Sequence, residues 1–169
     1  MSRTMARPEG TTTPRDLPAL ALYVLAGCGL AVLGAATVTS SAGAAYARGP
    51  QVEWQPPIVA VEAVWTALFL ASAVAGWLVH RRRAEAIGPA LWLYWAMVGL
   101  EALWLALFLL HAQLWLVLGV ILVLDLVAAA AAFAFWRASR TAGVLLSCTV
   151  AWLLFGTMLS IAGAALRAP

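Results

Sequence analysis

Charge is scarce in this chain. Ten arginines, no lysine and seven acidic residues leave a charged fraction of 10% over 169 positions. A soluble domain of this size has too much surface to cover with so few polar groups, so that class is excluded. The arginines sit at the ends of apolar stretches and form no basic patch, which excludes a nucleic-acid partner. Cysteine is limited to Cys28 and Cys148. Both lie within apolar runs and are expected as buried small hydrophobes, not as a disulfide or a metal pair. No Cys/His cluster has metal-ligand spacing, no glycine-rich loop suits a phosphate, and no serine and histidine fall in one region. A metal centre, an NTPase and a hydrolase therefore find no support, and no catalytic residue is assigned.

What the chain does have is apolar length. Hydrophobic residues make up 64% of it, and they gather into five runs of the length that crosses a bilayer core, about 20 residues. The expected spans are 17–38, 57–79, 87–110, 114–136 and 141–166, forming one transmembrane domain over 17–169. Residues 1–16 lack periodicity and read as a flexible tail. The apolar run after this tail is too long for a signal h-region, so no cleaved signal is expected. The expected fold is an all-α membrane protein, a five-helix bundle. Arg3, Arg7, Arg15, Arg81, Arg82, Arg83, Arg137 and Arg140 would share one side of the membrane, against Arg48 and Arg167 on the other. That bias places the N-terminus in the cytoplasm and the long first loop, Thr39 to Gln55, outside. A bacterial inner membrane suits this arrangement.

The chain is organised around the stretch from Tyr46 to Trp77. A polar loop ends in Trp54-Gln-Pro56-Pro57 and enters an apolar helix, where a missing proline N–H has no helical partner to lose. On that helix Glu62, Trp65, Thr66, Phe69, Ser72, Ala73 and Gly76 share a face, and on the third span Tyr94, Met97, Glu101, Trp104 and Phe108 do. Trp152 and Phe155 stand one turn apart on the fifth. A cavity between these faces would be aromatic with one or two carboxylates, suited to a flat, largely apolar ligand. Plain helix packing explains the same aromatic stripes. Glu62, Glu101 and Asp125 are intramembrane carboxylates, whose desolvation has to be compensated. Glu101 and Asp125 fit either a ligand site or hydrogen bonds between helices, and Glu62, nearer the interface, fits either a ligand site or simple hydration. Trp77, Trp92, Trp115 and Trp136 read as an interfacial belt, and His80 and His111 as solvated span ends. Small-residue faces at Gly27, Ala31 and Ala35, and at Gly156, Ser160 and Ala164, suit close helix packing. Gly99, Ala102 and Ala106 offer a face for another helix, such as a second protomer's.

These residues resemble the TspO/MBR family, the tryptophan-rich sensory proteins that include the mitochondrial translocator protein. The family's Trp-x-Pro-Pro element reads Trp54-Gln-Pro56-Pro57, and its Val-Trp-Thr-x-Leu-Tyr reads Val64-Trp65-Thr66-Ala-Leu68-Phe69. Its third-helix Leu-Asn-x-x-Trp appears as Leu100-Glu101-Ala-Leu-Trp104. Its Phe-Trp-Arg-x-Ser appears as Phe135-Trp136-Arg137-Ala-Ser139, and its Ala-Trp-x-x-Phe as Ala151-Trp152-Leu-Leu-Phe155. The chain also departs from the pattern. Glu101 and Ser160 stand where the family has asparagine, Ala63 replaces a proline, and Asp125 is displaced by about a helical turn. The sterol-motif tyrosine of the animal members is missing.

The resemblance implies a homodimer, here through the third helix, that binds porphyrins, heme or other flat hydrophobic ligands, a sterol-like molecule among them. No other cofactor is implied. The pocket would lie near the first loop, among the first, second, third and fifth spans. The candidate ligand-binding residues are Tyr46, Trp54, Pro57, Glu62, Trp65, Phe69, Glu101, Trp104, Phe108, Trp152 and Phe155. An anionic Glu101 in the asparagine's place would disfavour a porphyrin propionate. Two alternatives stand beside this reading: a proton- or cation-coupled transporter using Glu101 and Asp125, and a light-dependent porphyrin-degrading enzyme.

Overall fold

In the computed structural model the described residues are 16–49, 51–82, 87–110 and 114–166, and helices and short connections account for all of them. The helices are α1 (Asp16–Thr39), α2 (Ser41–Arg48), α3 (Ile58–His80), α4 (Ile87–Leu109), α5 (Leu114–Ala138) and α6 (Arg140–Ala165). All but α2 are long and apolar enough to cross a bilayer, so the protein is a five-span membrane bundle. The tail to residue 15, Arg83, His111 and Arg167 lie outside the described residues.

The helix boundaries follow from local chemistry. Pro57 occupies the N-cap of α3 with φ −58° and ψ 142°. Its ring holds the φ that the position needs, and the proline pair keeps the preceding backbone extended. At the α5–α6 junction a single residue, Ser139, turns the chain back. Its Oγ accepts a hydrogen bond from the Ala142 N–H at 3.5 Å and caps α6.

The segment expected as one long loop contains a helix. α2 follows α1 after only Ser40, whose Oγ accepts from the Gly43 N–H at 3.2 Å. Gly43 is indispensable to this corner. A Cβ there would lie 2.7 Å from the Val38 carbonyl oxygen and closer still to that of Thr37.

In the bundle α1 packs on α3 and α4, α5 on α4 and α6, and α3 on α6. Lipid tails are as apolar as leucine, so close backbone approach and buried polar pairs carry the association. A Cβ on Gly27 would sit 2.9 Å from the Phe69 carbonyl oxygen, which fixes how closely α1 meets α3. The Ser72 and Thr149 hydroxyls meet at 3.0 Å between α3 and α6. Thr157 of α6 donates to Asp125 Oδ2 of α5 at 2.8 Å, so the displaced aspartate ties two helices together.

The outer surface is apolar, with Leu126 of α5 73% and Leu25 of α1 69% exposed, as acyl chains require. Cys28 and Cys148 lie on this outer surface, correcting the expectation of burial. In a membrane bundle apolar residues occupy both faces of a helix, so apolar neighbours do not reveal which face is inside. Trp92 and Trp115 point outward near span ends, 78% and 79% exposed. Trp77 instead packs partly inside, with the Arg81 guanidinium carbon 4.5 Å from its ring centroid.

Candidate ligand-binding cavity

At the end of the bundle where α1 finishes and α3 begins, the helices part around a cavity of about 370 Å³. That volume is within the range of small-molecule sites, about 300–1,000 Å³. Its wall is aromatic. Trp65 of α3 is tilted against Trp104 of α4 at 5.8 Å between centroids, and stands edge-on to Trp152 of α6 at 6.5 Å. Phe108 lies 6.0 Å from Trp104, and Phe155 stacks on Trp152 at 5.0 Å. Three indoles from three helices thus converge on one space, with a phenyl ring beside two of them. Trp65 is held in turn by Phe69, stacked behind it at 5.2 Å.

The small residues of α6 help to make this space. Gly156, Ser160 and Gly163 line the cavity, and a Cβ on Gly156 would meet only the tip of Ile121, at 3.9 Å. The stripe expected to pack helix on helix here leaves volume unfilled, because small side chains shorten the wall.

α2 and the loop after it cover the cavity. Tyr46 of α2 donates its phenol to the Pro56 carbonyl at 3.0 Å, and Gln55 Nε2 donates to the Tyr46 carbonyl at 3.2 Å. These two bonds clamp the helix to the Trp54–Pro57 turn. Partial burial pushes the Tyr46 phenol above its ordinary range, so it stays protonated and donating. Trp54 is half exposed and meets Phe155 edge-on at 5.7 Å, at the rim.

A family model described as the TspO/MBR family matches residues 19–165. The chain belongs to the TspO/MBR family. No curated protein matches it at a significant level. The family match covers α2 and all five spans but for the first two residues of the first, so every residue lining the cavity lies within TspO/MBR sequence.

Of the residues singled out from the sequence, Tyr46, Glu62, Trp65, Trp104, Phe108, Trp152 and Phe155 line this TspO/MBR cavity together. Trp54 sits at its rim, Phe69 behind Trp65, and Pro57 at the cap of α3. Glu101 is not among the lining residues: it is 1% exposed, and both its oxygens lack a hydrogen-bond partner among the described residues. Thr37, Ala42 and Val117 also line the cavity. Sequence reasoning missed them because a small or apolar residue on a membrane helix carries no mark of the face it occupies. A second aromatic group lies at the opposite end of the bundle. There Tyr23 packs against Tyr94 at 5.4 Å and Trp95 at 5.1 Å, and its Oη reaches His80 Nδ1 at 3.4 Å.

Proposed function

We propose that this membrane protein binds a flat, largely apolar ligand of the tetrapyrrole class within its helix bundle, with α2 and the Trp54–Pro57 turn as the cover. The convergence of Trp65, Trp104 and Trp152 on one cavity supports this reading above all. Indole faces stack on an extended π-system at little entropic cost, and membership of the TspO/MBR family points to the same ligand class. The role is sensing, transport or tetrapyrrole handling in a bacterial inner membrane, with the N-terminus on the cytoplasmic side that the arginine distribution favours. A second copy fits the open face of α4 at Gly99, where a Cβ would meet nothing within 4 Å.

The test is tryptophan fluorescence of the purified protein titrated with protoporphyrin, heme and a sterol. Saturable quenching by a tetrapyrrole, lost in Trp65→Ala and Trp152→Ala with the fold intact, is the expected result. Unchanged binding in both variants overturns the reading. Light-dependent loss of the porphyrin in the same samples, abolished by the same substitutions, would add the degrading activity. The transporter reading has less support. Among the described residues neither Glu101 nor Asp125 lines the cavity, and the hydrogen-bond donor to Asp125 is Thr157. Its test is pH-dependent flux in liposomes, lost in Glu101→Gln.

A further inference from the structure

The cavity has a definite electrostatic character. Glu62 is the only acidic side chain among its described lining residues; no arginine, lysine or histidine accompanies it. The carboxylate is held in place. Its Oε1 accepts from the Thr66 hydroxyl at 3.1 Å, and both oxygens lie against the bare α-carbon of Gly34. A Cβ at Gly34 would stand 2.9 Å from Oε2 and 3.0 Å from Oε1, so α1 leaves the room that the carboxylate occupies.

The hydroxyl groups of the wall are already committed, while the indole N–H groups of Trp65 and Trp152 have no hydrogen-bond partner among the described residues. Thr37 donates to the Gly34 carbonyl at 2.6 Å, Ser160 to the Gly156 carbonyl at 2.8 Å, and Tyr46 to the Pro56 carbonyl at 3.0 Å. Gln55 uses one of its amide hydrogens on the Tyr46 carbonyl. The Trp104 indole N–H has no partner among the described residues and is sealed from solvent. A ligand anion entering here would meet a like charge, with only neutral indole N–H groups and a spare Gln55 amide hydrogen left to donate to it. A ligand cation would meet a carboxylate and the faces of three indoles, which attract it electrostatically.

We propose that the cavity selects planar apolar ligands whose polar end is a protonated amine or another cationic donor, and that Glu62 is the residue that sets this preference. The proposal rests on the binding reading above and specifies the ligand's polar end. A porphyrin ending in two carboxylates is then a poor match, and the same macrocycle with amine-tipped side chains a good one.

The experiment uses one macrocycle in three forms: protoporphyrin as the free acid, as its dimethyl ester, and as its bis(aminoethyl) amide. Each is titrated by tryptophan quenching against the full chain in an uncharged detergent, so that the micelle exerts no charge preference of its own. The wild-type protein should bind the amine form about tenfold or more tighter than the ester, as one charge-assisted hydrogen bond provides, and the acid form most weakly. Glu62→Gln, near-isosteric and still able to accept from Thr66, should bring amine and ester within about threefold of each other. Gly34→Ala keeps the charge but displaces the carboxylate, and should reduce the amine preference without abolishing it.

Equal or tighter binding of the acid form overturns the proposal, as does an amine preference that survives Glu62→Gln. A smaller pair, naphthylmethylamine against naphthylacetate, separates the two levels of the argument. Binding of the small amine with no binding of any macrocycle overturns the tetrapyrrole reading and supports the charge selection. Failure of all the probes overturns both.

Discussion

Replacing Glu101 with methionine should stabilise this protein and leave its ligand binding intact. The carboxyl group is 1% exposed in the middle of α4, and neither oxygen has a hydrogen-bond partner among the described residues. Burying a polar group without a partner costs about 1–3 kcal/mol. Methionine has a similar length and volume, so it removes that cost with little cavity or overpacking penalty. Taking about 2 kcal/mol as the gain, and about 2–4 °C per kcal/mol for a chain of this size, the unfolding midpoint should rise by about 4–8 °C. The assay is thermal unfolding in a fixed detergent, followed by near-ultraviolet circular dichroism, which the buried tryptophans make sensitive. The protoporphyrin titration is then repeated on the variant. A midpoint that falls would mean the carboxyl is satisfied in the membrane, by water or by a neighbouring group, and would refute the argument. Lost ligand binding in a stable variant would equally refute it, because Glu101 would then have to reach the cavity.

Gly76→Ala should destabilise the bundle by about 1–3 kcal/mol, because a Cβ there would lie 2.6 Å from the Tyr23 ring and 2.9 Å from Tyr94 Cζ; thermal unfolding measures it. Thr157→Val removes the donor to Asp125 Oδ2 while Oδ1 already has none. It should cost about 1–3 kcal/mol, partly restored by Thr157→Ser, in the same assay. Tyr46→Phe loses the bond to the Pro56 carbonyl, worth about 0.5–1.5 kcal/mol. It should lower the unfolding midpoint by about 1–6 °C and speed both ligand release and protease cleavage in the loop after α2.

The long helices are legible because bilayer thickness demands an apolar length that nothing else in the chain imitates, and because Pro57 and Ser139 mark helix starts by their chemistry. α2 was not legible for the opposite reason. Its eight residues, Ser41 to Arg48, are too few for a periodic pattern, and the Ser40 cap lies in a run of small residues that reads equally well as loop. Within the site, the aromatic wall was readable because tryptophan at helical spacing is conspicuous. Gly34, Thr37 and Val117 were not, since a membrane helix is apolar on both sides and its pattern does not say which neighbours it meets. The same ambiguity misplaced Cys28 and Cys148.

Glu101 and Glu62 show why position outweighs motif in assigning what this cavity prefers. Glu101 stands where the family pattern has asparagine, and from sequence it was the residue expected to repel a propionate. It sits one turn before Trp104 on α4. Yet Trp104, Leu105 and Phe108 reach the cavity while Glu101 does not. Glu62 stands at no position of the family elements and, nearer the interface, could from sequence be simply hydrated. In the fold it lies one turn before Trp65, on the same face of α3. α1 offers it a glycine, where a side chain would have displaced the carboxylate. A charge acts most strongly on what it touches, and its influence falls with distance and with intervening polarisable matter. The ligand's polar end will therefore be chosen by the carboxylate that shares its space, whatever the family pattern holds on the neighbouring helix.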